Sequence, residues 1–175
     1  MNAPVAVLIG PPGAGKTAVG PLLAELLGTS FRDTDADVVA AAGRPVSDIF
    51  IEQGEQAFRQ LEREAAARAL REHQGVLALG SGAVLDPDLE DRLEGLPVVY
   101  LAADFGTVAR RLGLDRPRVV IPGNPRGRLR AMLEERRPLY ERLATVTVTT
   151  DDDDPDEVAE QIAARLAAKP EDGRR

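Results

Sequence analysis

Gly10-Pro-Pro-Gly-Ala-Gly-Lys16-Thr17 is the stretch from which the fold of this 175-residue chain can be read. It satisfies G-x-x-x-x-G-K-[ST], and that pattern carries meaning only between a strand and a helix. Both flanks are present: the apolar run Val5-Ala-Val-Leu-Ile9 leads in, and a helix-compatible segment, 17–27, leads out. Glycines let such a loop curl so that successive N–H groups point inward at phosphate oxygens. The N-terminal end of the following helix adds positive potential. In this reading the residues from Gly13 through Ala14, Gly15, Lys16 and Thr17 to Ala18 cradle a nucleoside triphosphate. Lys16 serves the outer phosphates and Thr17 serves Mg²⁺.

Composition narrows the function further. Apolar residues make up 43% and charged residues 29% of the chain, the balance of an ordinary globular domain. One domain, 1–168, with a polar tail at 169–175, fits this length. The absence of any apolar stretch of spanning length argues against a membrane partner, and with no charged-then-apolar leader the expected location is the cytoplasm. There is no cysteine, which excludes disulfides, thiolate nucleophiles and Cys-ligated zinc, and a single histidine excludes a multi-histidine metal site. A net charge of −7 argues against a nucleic-acid partner. Arginines nevertheless crowd the segment 110–142, a pattern suited to a small anionic ligand.

Apolar runs at 5–10, 76–80, 98–101 and 145–149, with a short one ending near Asp33, alternate with helical patterns. The helices are expected at 16–27, 36–42, 47–50, 54–72, 87–94, 105–112, 126–143 and 155–168. Such alternation predicts an α/β fold with a mainly parallel sheet, its ligands at the carboxyl ends of the strands. Asp86-Pro87 and Asp154-Pro155 read as N-caps followed by a first-turn proline. Capping and solvation therefore explain Asp151-Asp-Asp-Asp154 more simply than a metal site. The Pro- and Gly-rich segment 113–127 resists helix formation and has the length of a lid over a reaction centre.

Four further groups can carry chemistry. Asp33-Thr34-Asp35 closes the second strand, where alternate residues share a face. One carboxylate can then serve Mg²⁺ and the other can act as general base, while capping of the next helix by Asp35 explains the pair equally well. Arg59 and Glu62 lie three apart on one helical face, as a carboxylate-binding fork or as a surface ion pair. Gly80-Ser81-Gly82 ends a buried strand in a turn whose amides can meet a ligand, or which is simply tight. In Arg136-Arg-Pro-Leu-Tyr140 a mid-helix proline implies either a kink that aims Arg136 inward or a helix end.

Together these motifs resemble the shikimate kinases, of the nucleoside monophosphate kinase-like group. The ordered set is 10–17, Asp33-x-Asp35, Asp48-Ile-Phe50, Gly54-Glu-x-x-Phe58-Arg59-x-x-Glu62, Gly80-x-Gly82 and Arg136-x-Pro-Leu-Tyr140. The resemblance implies a three-layer α/β/α fold with a five-stranded parallel sheet of order 2-3-1-4-5. It implies a monomer that transfers the γ-phosphoryl of ATP to the 3-hydroxyl of shikimate in aromatic amino-acid biosynthesis. On this resemblance Asp35 binds shikimate hydroxyls and is the candidate base, and Arg59 and Arg136 clamp the carboxylate. Gly80 and Gly82 meet the ring, with Ser81 between them and Phe50 and Phe58 alongside, in a substrate region of about 35–62. Thr17 and Asp33 serve Mg²⁺, while Arg111 and Pro155 flank adenine. The family pattern has a third glycine where this chain has Ser81, which puts a side chain where backbone meets substrate. The family's lid reads Arg-Pro-Leu-Leu; here Arg116-Pro117 keeps the dipeptide, but Arg118 keeps the spacing to the later glycine and is taken as the lid arginine. A polyhydroxy-acid kinase acting, for example, on gluconate would share the phosphate loop without needing both Arg59 and Arg136. A non-catalytic nucleotide-binding module would bind ATP without transfer.

Overall fold

The computed structural model describes residues 3–115, 123–151 and 154–168. Five strands form one parallel sheet: β1 (Ala6–Ile9), β2 (Phe31–Asp33), β3 (Val76–Ala78), β4 (Val98–Ala102) and β5 (Val146–Thr149). Their order is β2-β3-β1-β4-β5, as the resemblance implied. Ala6 pairs with Val76 on one side of β1 and Val7 with Val98 on the other, so the apolar run at 5–10 forms the centre of the sheet. Helices α1 (Lys16–Leu26), α2 (Thr34–Ala42), α3 (Val46–Glu72), α4 (Leu89–Leu93), α5 (Phe105–Arg111), α6 (Pro125–Leu143) and α7 (Pro155–Ala167) complete the fold.

The period of two along each strand divides the core in two. Ala6, Leu8, Val99 and Leu101 pack with Val19 and Leu23 of α1 and Ile162 of α7. Val7, Ile9, Val98 and Tyr100 pack on the opposite face with Ala66 and Ala69 of α3 and Tyr140 of α6. Strands covered on both faces are apolar throughout, which is why they read as continuous runs. Two smaller clusters lie outside these layers. One joins Val38 of α2 to Ile49, Phe58 and Ala65 of α3. The other joins Val108 and Ala109 of α5 to Leu129 and Leu133 of α6.

The helices expected at 47–50 and 54–72 are both present within α3, the first extended up to a kink at Gly54, whose φ of 84° is open to glycine. Several other local expectations need correction. The helix expected from 36 starts at Thr34, so Asp35 sits in the first turn of α2 rather than on the strand. Its cap is Asp33, whose side chain accepts from the Asp35 N–H. The strand-alternation argument for the two carboxylates therefore fails, although they remain neighbours. Asp86 does not cap the helix that was expected from Pro87. It accepts from the Asp88 N–H at 3.1 Å and from Arg92 at 2.8 Å, and α4 starts only at Leu89. Pro138 does not end α6, which runs on to Leu143 with Arg136 turned inward at 7% exposure. Asp154 does cap α7, accepting from the Asp156 N–H at 2.9 Å. The candidate lid arginine Arg118, and Arg116 beside it, lie outside the described residues, as does the tail 169–175.

Candidate active site

The phosphate loop leaves β1 and enters α1 through Gly15, whose φ of 106° suits glycine alone. At Gly10 a Cβ would stand 2.7 Å from the Leu101 carbonyl oxygen, a backbone atom that cannot swing away. Lys16 folds back over the loop, donating to Gly10 O at 2.6 Å and Pro11 O at 3.1 Å. Desolvation lowers its pKa to about 8 despite the opposing pull of Asp35, Asp33 and Glu62. Half-buried and held by two main-chain carbonyls, the ammonium would be stabilised in its charged form by a phosphate. Residues 13–18 line a cavity of about 590 Å³ together with Arg111, Pro155 and Asp35. The whole predicted nucleotide set within the described residues is thus gathered in one place, and Asp35 stands at its margin.

Thr17 donates its hydroxyl to Asp33 Oδ2 at 3.1 Å, which brings together the two residues expected to serve Mg²⁺. Among the described residues no group of three or more His, Cys, Asp or Glu could hold a metal. A hydroxyl and one carboxylate fit Mg²⁺ well, because this ion keeps several waters and takes phosphate oxygens rather than an all-protein cage.

The region expected to hold the acceptor is built from side chains. Asp35 is exposed as a residue, yet its carboxyl end lies against Gly80: a Cβ there would be 2.7 Å from Asp35 Oδ1 and 3.3 Å from Glu62 Oε2. Desolvation there, and then the charge of Asp33, push Asp35 above the usual carboxylate range, against the pull of Lys16. Glu62, only 3% exposed, is likewise raised by burial and held back first by Arg59. Arg59 Nη1 donates to both Glu62 oxygens at 3.2 and 3.3 Å, so this is a buried pair and not a surface one. The Arg59 Nε is buried without a hydrogen-bond partner and has Glu55 Oε1 3.7 Å away as its ion-pair partner. Its guanidinium lies 5.3 Å from the Phe58 ring and 6.0 Å from that of Phe50, and the two rings are 4.7 Å apart. Arg59, Glu62 and Gly82 line a second cavity, of about 420 Å³.

Arg136 reaches the same turn from α6, with Nη1 at 3.4 Å from Ser81 Oγ. Tyr140 donates to Ser81 O at 2.7 Å and stacks on Tyr100 at 5.1 Å. Residue 81 therefore meets α6 through its main-chain oxygen and its hydroxyl. The predicted site residues among the described ones thus fall around the two cavities and the glycine turn, with Phe50 joined to them through Phe58.

Two residues escaped the sequence reading. Thr34, fully buried, accepts from the Gly80 N–H at 2.9 Å and ties the end of β2 to the glycine turn. Its only signal was its place between two aspartates. Thr150, 2% exposed, donates to Ala14 O at 2.7 Å, across 136 residues of sequence. Nothing in the local pattern pointed to it beyond its position just before the aspartate run.

The family model "Shikimate kinase" matches residues 12–167. A shikimate kinase from Thermobifida fusca (strain YX) is 55% identical over 94% of this chain and 96% of its own length. One from Salinispora arenicola (strain CNS-205) is 54% identical over 95% and 99%. Among solved structures, shikimate kinase from Acinetobacter baumannii in complex with shikimate superposes with a TM-score of 0.86. It is 33% identical and covers 95% of this chain and 93% of that one.

Proposed function

The chain belongs to the shikimate kinase family, ATP-dependent phosphotransferases with an alcohol acceptor, and we propose how its own residues divide that work. The observation that carries the assignment is the position of Lys16, which lines the larger cavity together with Asp35, whose carboxyl reaches the glycine turn at Gly80. It stands where a triphosphate in the larger cavity would meet an acceptor held at the glycine turn.

Phosphoryl transfer asks mainly for positioning and charge neutralisation. Arg59 and Arg136 are the cations for the shikimate carboxylate, since guanidinium forks match that group. Glu62 holds Arg59 by two oxygens and keeps the fork in one orientation. Asp35, raised by burial and by Asp33, is matched to accept the proton of the 3-hydroxyl as it attacks. Lys16 exchanges its two loop carbonyls for the outer phosphates. Gly13, Ala14, Gly15, Thr17 and Ala18 complete the cradle, and Arg111 and Pro155 flank the base. Gly80, Ser81 and Gly82, with Phe50 and Phe58, bound the acceptor ring. Mg²⁺, when bound at Thr17 and Asp33, supplies neutralising charge to the phosphates.

The working unit is one chain, as the family resemblance implied; gel filtration at assay concentration tests this. The expected location is the cytoplasm, in keeping with the finding that no helix among the described residues is long and apolar enough to cross a membrane. A coupled ADP-release assay with ATP, Mg²⁺ and shikimate tests the assignment, and folded protein with no turnover at saturating shikimate would overturn it.

A further inference from the structure

We propose that Thr150 is a positioning residue for the phosphate loop, fixing the Ala14–Gly15 peptide so that its N–H faces the bound phosphates. In a trans peptide the C=O of one residue and the N–H of the next share a plane and point in opposite directions. Holding Ala14 O on the outside of the loop therefore aims the Gly15 N–H inward. Thr150 Oγ1 holds that oxygen at 2.7 Å.

The hydroxyl is itself oriented. Arg111 Nη1 donates to it at 3.2 Å, and a hydroxyl has a single proton, so that proton is left for Ala14 O. Arg111 Nη1 also reaches Gly13 O at 2.9 Å and Ala14 O at 3.2 Å, and its Nη2 donates to Thr150 O. Thr150 is anchored in turn by its own N–H, which donates to Ala102 O at the end of β4 at 2.8 Å. The branched side chain stiffens χ1. The loop is thereby fastened from behind to the far edge of the sheet, through residues outside the motif. Both terminal nitrogens of Arg111 are engaged in this backing.

The test uses the full chain carrying Thr150→Val, Thr150→Ala or Thr150→Ser. Turnover with ATP and shikimate is measured beside ADP binding by calorimetry and thermal melting. Loss of the hydroxyl is expected to raise KM for ATP and Kd for ADP about five- to tenfold, the scale of one hydrogen bond, without moving KM for shikimate. Thr150→Ser should return both to within about twofold of the parent, since it keeps the donor. Unchanged ADP affinity in the Val and Ala variants, or equal rises in both KM values, overturns the proposal. A merely structural role would lower the melting temperature and kcat while leaving ADP affinity alone. If Thr150→Val does not fold, the contrast between Thr150→Ala and Thr150→Ser decides. The role rests on the nucleotide site assigned above. Parent turnover in the same assay separates failure of that assignment from failure of this one.

Discussion

At the proposed nucleotide end of the site, the groups assigned to the phosphates are main-chain N–H groups of one short loop, with Lys16 as the only charged side chain in that loop. At the acceptor end, Asp35, Arg59, Glu62 and Arg136 come from α2, α3 and α6 and meet a turn that follows β3. The first end is shaped by conformations that few residues can adopt, as at Gly10 and Gly15. The second is a set of charges balanced against one another in poor solvent, where Asp35 and Glu62 are both pushed up by burial. A backbone site tolerates little change of conformation, and a charge cluster tolerates little change of charge or space.

Lys16 belongs to both ends, so its loss has the largest expected effect. Lys16→Met should lower kcat by about a thousandfold or more, since it removes preorganised charge from the transferring group. A coupled assay showing near-parent turnover would break the link between the two ends. Arg136→Ala touches only the acceptor end. Its kcat/KM for shikimate should drop about a hundredfold or more, as for a lost charge-assisted pair, with KM for ATP nearly unchanged. Gly82→Ala tests space rather than charge, because its Cβ would collide with Arg59 Nη1. Displacing that flexible end should lower kcat/KM for shikimate about tenfold by misplacing the fork. The smallest effect is a proton count. With Lys16 near pKa 8, the free protein at pH 8 carries about half a proton there. ATP favours the charged form, so binding should take up about half a proton, as calorimetry in buffers of different ionisation enthalpy would show. The uptake should vanish in Lys16→Met and fade below pH 7. The same shift has a stability consequence. Between the folded value of about 8 and the unfolded 10.5, the unfolded chain binds more protons, so this residue's contribution to stability improves as pH rises through that window.

The same contrast explains what could be read from sequence. The phosphate loop was legible because its glycines answer a local steric demand, and the sheet because strands covered on both faces must be apolar. The acceptor charges could each be read in two ways. Arg59 and Glu62 would look the same in sequence as a solvated ion pair, and only tertiary burial makes them a held fork. Their grouping came from resemblance to a family, not from spacing. Asp33-Thr34-Asp35 shows how a right neighbourhood can rest on a wrong local argument. The helix starts two residues earlier than expected, because Asp33 caps it, and the middle threonine fixes the glycine turn. Thr150 was invisible for a different reason: its partner lies 136 residues away. Such pairing is a property of the sheet order, which no single segment contains.

The two small apolar clusters outside the main layers have a consequence for how the molecule opens. Val38, Ile49, Phe58 and Ala65 give the α2–α3 arm a nucleus of its own, and Val108, Ala109, Leu129 and Leu133 do the same for α5 with α6. Each can act as a cooperative unit with an opening free energy below that of global unfolding. Native-state hydrogen exchange should therefore resolve three exchange classes: the sheet with α1 and α7, then each arm separately. The arm that carries Asp35 and Arg59 would then breathe independently of the arm that carries Arg111 and Arg136, against a sheet that stays shut.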